Sequence, residues 1–200
     1  MTTYTDRLRS EDWTVEACSH AQATAFIEQH HYARGMSNTA IYSHALFNCL
    51  GSIMGVCVWL CPTQRACKTV DPDNWKRVLA LSRLAIHPSV PKNACSFTMA
   101  RSIELIRRDG RFRSLVSFAD SAQGHTGHIY RASGWTYCGV TVATPLWVDP
   151  LTGAMRSISA TRNYTVAEMR ERGLIFKGRF VKHKFVRYLD KRMHRRFCEL

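Results

Sequence analysis

Two hundred residues and 22.9 kDa suffice for one compact domain with modest additions. A composition of 46% hydrophobic and 22% charged residues excludes a disordered tail and leaves enough apolar mass for a core. No stretch approaches the roughly 18 apolar residues of a membrane span, and the opening MTTYTDRLRSEDW is too polar for a secretory signal, so a cytosolic protein without membrane partners is expected.

The net charge of +13, with a pI of about 9.8, calls for a polyanionic partner: nucleic acid, an anionic surface or a phosphorylated cofactor. Arg170 to Leu200 holds eleven Lys or Arg against three acids, which is eight of those thirteen charges. Eight cysteines form no CxxC, and only the loose group Cys57, Cys61 and Cys67 hints at zinc, so free thiols in a reducing compartment are expected.

In chain order, Trp13 to Ala17 reads as a short strand, and Ser19 to His31 as a helix capped by Ser19 and ended by HHY. Thr39 to Phe47 and Gly51 to Leu60 form a hairpin through Asn48 to Gly51, and Pro62 to Asn74, with two prolines, is a loop. VLALSRLAI, Val78 to Ile86, is apolar on both faces except at Ser82 and Arg83, as a central strand requires. Phe97 to Arg108 is an amphipathic helix with Met99, Ala100, Ile103 and Ile106 inward, closed by Asp109-Gly110. LVSFA, Leu115 to Ala119, is a buried strand, parallel to the previous one across this helical crossover. His125 to Ser133 is a short helix and Trp135 to Thr144 a strand. Gly173 to Leu189 alternates as a basic strand or hairpin on the sheet edge.

Several residues carry candidate chemistry. Arg83 interrupts an apolar strand, where an unpaired charge costs several kcal/mol, so a partner is required. Either it pairs with a structural carboxylate, or it orients Asp120 across neighbouring strands at the crevice beyond their carboxyl ends. Lys92, Asn93 and Ser96 stand at the first turn of a helix, where backbone N–H groups suit a pyrophosphate; Asn93 or Ser96 could equally be a cap. Asp120, His125, His128 and Tyr130 are the types needed for a base, a metal ligand and a proton donor. Of the adjacent His30 and His31, at most one faces the crevice.

The hairpin, VLALSRLAI, VPKNACSFTMARSIELI, LVSFAD and IYRASGW together resemble a GNAT acyltransferase over roughly residues 13 to 145, with a basic extension over about 160 to 200. The resemblance implies a mixed α/β (α+β) fold, a central sheet flanked by helices in a single domain spanning 1–200. It implies an acetyl-CoA or related acyl-CoA between splayed central strands, along Leu84 and Ile86, with pyrophosphate on Lys92, Asn93, Ala94 and Ser96, and Tyr130 protonating the departing thiolate. More narrowly, HHY (30–32), LSRLAIHP (81–88), PKNACS (91–96), FAD (118–120), GHTGHIYRASGWTYCG (124–139) and KHKFVRYL (182–189) are similar to the Mom family of bacteriophage enzymes. These convert adenine in DNA to its N6-methylcarbamoyl derivative and so evade host restriction in the host cell cytoplasm.

On that resemblance the catalytic set is His31, Tyr32, Arg83, Asp120 and Tyr130. DNA phosphates fall to Lys182, Lys184, Arg187, Lys191, Arg192, Arg195 and Arg196. Two departures stand out: VPKNACS has no glycine, unlike the usual pyrophosphate loop, and simple acetyl transfer cannot yield methylcarbamoyl, which attaches through a methylene and carries an amide nitrogen. Iron held by His31, Asp120 and Tyr130 would activate that carbon; alternatively Asp120 deprotonates the adenine amine while His31 holds the base. An acetyltransferase of a protein amine or RNA base, and an inactive nucleic-acid-binding relative, are the competing functions. The oligomeric state, a dimer included, stays open.

Overall fold

The computed structural model describes residues 7–153, 155–156 and 163–190. Its elements in chain order are β1 (Thr14–Ala17), α1 (His20–His30), β2 (Ala40–Phe47), β3 (Ile53–Leu60), α2 (Gln64–Lys68), β4 (Val78–Ile86), α3 (Ala94–Asp109), β5 (Ser114–Asp120), α4 (His128–Ala132) and β6 (Thr136–Val140). There follow β7 (Thr144–Val148), β8 (Met155–Arg156), α5 (Val166–Glu171), β9 (Ile175–Phe180) and β10 (Lys182–Tyr188). A seven-stranded sheet runs β1-β2-β3-β4-β5-β10-β6, and a three-stranded sheet runs β8-β7-β9. In the larger sheet only β4 and β5 pair in parallel; the other neighbours are antiparallel.

The alternation of the central strands sorts the core into two layers. Cys57, Trp59, Leu79, Leu81 and Leu115 point to α3, where Met99, Ile103 and Ile106 meet them. Val56, Val58 and Ala85 point to the other face, against Ala23, Phe26 and Ile27 of α1. Trp59 and Leu79 are fully buried, each such side chain contributing about 1.5–3 kcal/mol. The expected central position of Val78–Ile86 is therefore occupied, with both faces covered. Ser19 caps α1 reciprocally with Gln22, and Gly110, in the left-handed conformation at φ 74°, ends α3.

Four expectations change. The 62–74 segment is not all loop: Thr63 caps α2, and Cys67 and Val70 fold back under β4. Ala100 is exposed, and Thr98 and Ser102 occupy the inner stripe of α3 instead. The strand expected over Trp135 to Thr144 stops at Val140, after Gly139 takes φ 82°, and Thr144–Val148 belongs to the small sheet. Most consequentially, the C-terminal basic segment is neither appended nor at an edge. β10 is inserted between β5 and β6, with Phe185 in the α3-side core and Val186 in the opposite one. Two consecutive buried residues on one strand require cover on both faces, which an edge extension lacks.

Candidate active site

The parallel β4–β5 ladder runs from Val78 opposite Ser114 to Leu81 opposite Ser117 and ends there, although both strands continue. The reason lies on the other edge of β4. Val58 pairs with Arg83 and Trp59 with Leu81, so Ser82 is an extra residue, a β-bulge that turns β4 away from β5. The divergence opens a cavity of about 400 Å3 lined by Leu81–Leu84, Cys95, Phe118 and Ala119, closed by His31 and Tyr32 on one side and Gly124–Tyr130 on the other.

His31 terminates α1 with extended backbone, and its Nδ1 accepts the Ala33 N–H at 3.0 Å. Burial, then the Arg83 guanidinium, then His125 hold its pKa down at about 4. The neutral ring stacks on Tyr32 at 4.3 Å, and Tyr32 meets the His125 ring edgewise at 5.8 Å. Burial and then Asp120 raise the Tyr32 pKa, with Arg83 opposing. His30 instead packs against Phe26 and His87 and takes no part in the lining.

Arg83 lines the cavity, but the carboxylate partner expected for it is not there among the described residues. Its Nε donates to the Gly35 carbonyl at 2.9 Å, and its Nη1 to the Ser82 carbonyl at 2.8 Å. A half-buried guanidinium is satisfied here by backbone oxygens, which take up its donors without neutralising its charge. Nor does Arg83 orient Asp120. The Asp120 carboxylate receives the Ala122 N–H at 3.0 Å on one oxygen and Lys182 Nζ at 3.0 Å on the other, just outside the lining.

Tyr130, on α4, packs between Trp135 and Phe185 with its hydroxyl at the foot of the splay. Ser117 Oγ, on the last paired rung, lies 2.8 Å from Tyr130 Oη. Burial pushes the phenol pKa up to about 12 against the lowering effect of the Ser117 donor, so the tyrosine stays protonated at neutral pH. Gly127 sets the approach of α4: at φ 78° it lies so close to Phe185 that a Cβ would come within 2.1 Å of the ring.

Of the residues expected to hold a cofactor, Leu84 lines the cavity, whereas Ile86 is packed beside Gly55 in the cluster of Leu8, Trp13, Leu46 and Ala94. Asn93 Oδ1 accepts the Leu8 N–H at 2.7 Å, the Ala94 N–H goes to the Pro91 carbonyl, and Ser96 Oγ donates to the Asn93 carbonyl. Lys92 is exposed at the start of α3. The cleft itself fits the pantetheine arm of an acyl-CoA, because the β5-facing edge of β4 has no strand partner beyond Leu81.

The residues do not fit the expected iron set. Lys182 puts an ammonium on the Asp120 carboxylate, Tyr130 resists the ionisation that ligation needs, and no cluster of three or more His, Cys, Asp or Glu suited to a metal occurs among the described residues. Of the predicted phosphate contacts, Lys182 is in that pair and Lys184 Nζ donates to Thr69 at 2.9 Å. Arg187 donates to the Ser133 carbonyl. Burial lowers the pKa of both Lys184 and Arg187. Lys191, Arg192, Arg195 and Arg196 lie outside the described residues. The sequence did not mark Ser117, Gly35 and Cys95 as site residues, and showed Ser82 only as a polar interruption of an apolar strand.

The fold recurs in known proteins. A spermidine N-acetyltransferase from Vibrio cholerae superposes with a TM-score of 0.56 at 9% identity, covering 93% of this chain and 99% of that one. A structure described as an acetyltransferase from Salmonella typhimurium with its cofactor acetyl-CoA gives 0.54 at 12% identity, covering 90% and 95%. At such identities the likeness establishes the fold, that of the GNAT acetyltransferases. In sequence, the methylcarbamoylase Mom of Escherichia phage Mu is 25% identical over an alignment 196 positions long that covers 94% of this chain and 80% of that protein. The model of the Mom protein family matches residues 12–199, and the chain belongs to that family.

Proposed function

We propose that the chain is a DNA-modifying transferase that alters the exocyclic amine of adenine in phage DNA, giving the N6-methylcarbamoyl base in the host cytoplasm, with an acyl-CoA as its activated donor. The observation that carries this reading is the cleft opened by the bulge at Ser82, which brings the Tyr130 phenol to its foot and His31 and Tyr32 to its rim. Family membership and the methylcarbamoylase relative support DNA adenine as the acceptor.

An acyl-CoA bound along the unpaired edge of β4 would supply the two-carbon unit and a thiolate leaving group. The reaction would further take an amine donor, whose nitrogen displaces the thiolate as the amide forms, and a two-electron oxidant, which takes up the two hydrogens lost as the methyl carbon joins N6. Tyr130 Oη holds the proton to be donated there, because burial keeps it neutral and Ser117 fixes its position. Asp120, at the end of β5, is the acceptor for a proton from the adenine amine once Lys182 Nζ yields one carboxylate oxygen. Arg83 supplies fixed positive charge to the cavity wall. Nucleoside mass spectrometry of plasmid DNA from cells expressing the chain tests the reading: a modified deoxyadenosine carrying an added nitrogen-containing group is expected. Unmodified DNA, or an acetylated protein or RNA base, overturns it.

A further inference from the structure

The rim of the cavity carries an arrangement that the transfer chemistry does not require. Tyr32 is 42% exposed, unusual for a large aromatic side chain beside a cavity, and it is held face to face with His31 and edge-on to His125. An aromatic face presented at a cavity mouth matches what an extruded nucleobase needs on leaving its stack, since every base offers a π-face.

The hydrogen bonding of His31 adds direction. Because the Ala33 N–H donates to Nδ1 at 3.0 Å, that nitrogen is unprotonated, and in a neutral imidazole the proton then resides on Nε2. His31 therefore offers a hydrogen-bond donor and no free acceptor. Adenine carries ring acceptors, N1 and N7, on either side of its exocyclic amine. A single donor that engages one of them fixes the amine beside it.

Resting on the reading of the chain as an adenine-modifying enzyme, we propose that Tyr32 is the stacking platform for the extruded adenine, which lies beside the offset His31 ring on the same face of Tyr32, and that His31 Nε2–H donates in the plane of the base to N1 or N7, orienting the amine toward the Asp120–Tyr130 side of the cleft. His125 bounds the platform at its edge. Recognition of the base is thereby assigned to the end of α1 with His125 at its edge, separate from the Tyr130 proton donor at the foot of the splay.

The test is equilibrium binding by fluorescence anisotropy to a duplex of fixed sequence with one adenine opposite an abasic site, and to the same duplex with 1-deazaadenine or 7-deazaadenine there. One of the two analogues should bind about tenfold or more weakly than adenine to the wild-type protein. In His31→Ala that penalty should vanish, because no donor remains to lose its acceptor. Tyr32→Leu should weaken all three duplexes alike, and Tyr32→Phe should restore their binding. Both analogues binding like adenine, or a penalty that survives in His31→Ala, overturns the proposal. So does loss of binding in Tyr32→Phe as severe as in Tyr32→Leu. Circular dichroism melts of each variant separate loss of recognition from loss of fold. If wild-type cells yield modified deoxyadenosine while the analogues bind normally, base recognition alone fails; if no modified adenine forms, the underlying reading fails.

Discussion

The single hydroxyl proton of Ser117 is shared between Tyr130 Oη at 2.8 Å and the Leu81 carbonyl oxygen at 3.2 Å, so the rung at which the sheet splits also fixes the phenol. Ser117→Ala should cost about 1 kcal/mol of stability, since it removes one buried hydrogen bond. Its larger effect should be on turnover, reducing kcat about tenfold while leaving KM for DNA near its wild-type value. Burial would then act on Tyr130 without the opposing Ser117 donor and raise its pKa further. Steady-state kinetics that show an unchanged kcat would remove the Ser117–Tyr130 contact from the mechanism.

The central sheet was legible from local pattern because β4 and β5 announce themselves as apolar on both faces, and α1 and α3 carry their own caps and stripes. The place of β10 was not. Lys182, Lys184 and Arg187 are interspersed with His183, Phe185 and Val186, which reads locally as a half-solvated edge; only the long-range pairing with β5 reveals that Lys184 and Arg187 are spent on Thr69 and Ser133. The same limit applies at the site. The need for a partner at Arg83 was evident from its apolar neighbours, but charge alone pointed to a carboxylate, and the carbonyl of Gly35, 48 positions away, leaves no trace in composition. The bulge at Ser82 was visible only as a polar interruption.

Because the Arg83 fork joins β4 to the segment after α1, its removal should loosen His31 and Tyr32 more than the core. Arg83→Gln is expected to lower stability by about 2 kcal/mol, less than stranding a buried carboxylate would cost. It should also raise the His31 pKa from about 4, since Arg83 is the second cause of its depression after burial. A histidine titration followed by NMR checks this directly. An unmoved His31 resonance would mean that Arg83 exerts no field at the rim. Arg83→Lys should keep the low pKa but not the tie to Gly35, because one ammonium cannot reproduce the fork.

His44 on β2 is 4% exposed, and burial holds its pKa at about 4 instead of 6.5. Trp59 Nε1 donates to Ser102 Oγ at 2.7 Å, which directs the Ser102 proton to His44 Nδ1, also at 2.7 Å. Protonation would place a second donor against that serine. With the folded pKa depressed, the unfolded chain binds more protons between pH 6.5 and 4, so stability falls as pH drops through this window and is undiminished above it. Linkage puts the loss at pH 5 at about 2 kcal/mol. Urea melts at pH 7 and pH 5 should show it, with His44→Gln shrinking the difference; an equal difference in that variant would assign the pH dependence to other groups, His31 first.

The direction of β10 decides how the C-terminal charges can reach DNA. Lys182 stands opposite Asp120 at the cleft, Tyr188 opposite Ser114, and the Leu189 N–H donates to the Arg113 carbonyl at 2.8 Å. At about 3.4 Å per residue the strand spans roughly 20 Å. The chain thus reaches Leu189, bonded to Arg113, at the end of the sheet away from the cleft; Arg107, Arg108 and Arg111, shortly before Arg113 in sequence, are exposed. A duplex that offers its base to the cleft and its phosphates to this end must cover about six base pairs at 3.4 Å each. Neutralising Arg192, Arg195 and Arg196 together should flatten the slope of log affinity against log salt by about 2 to 3 units on duplexes of any sequence, at about 0.9 per phosphate contact. Arg187→Gln provides the contrast. Its side chain is committed to Ser133, so that substitution should lower the melting temperature and leave the slope unchanged. A wild-type slope in the triple variant would move the phosphate contacts to Arg107, Arg108 and Arg111, whose neutralisation is then the measurement that locates the DNA.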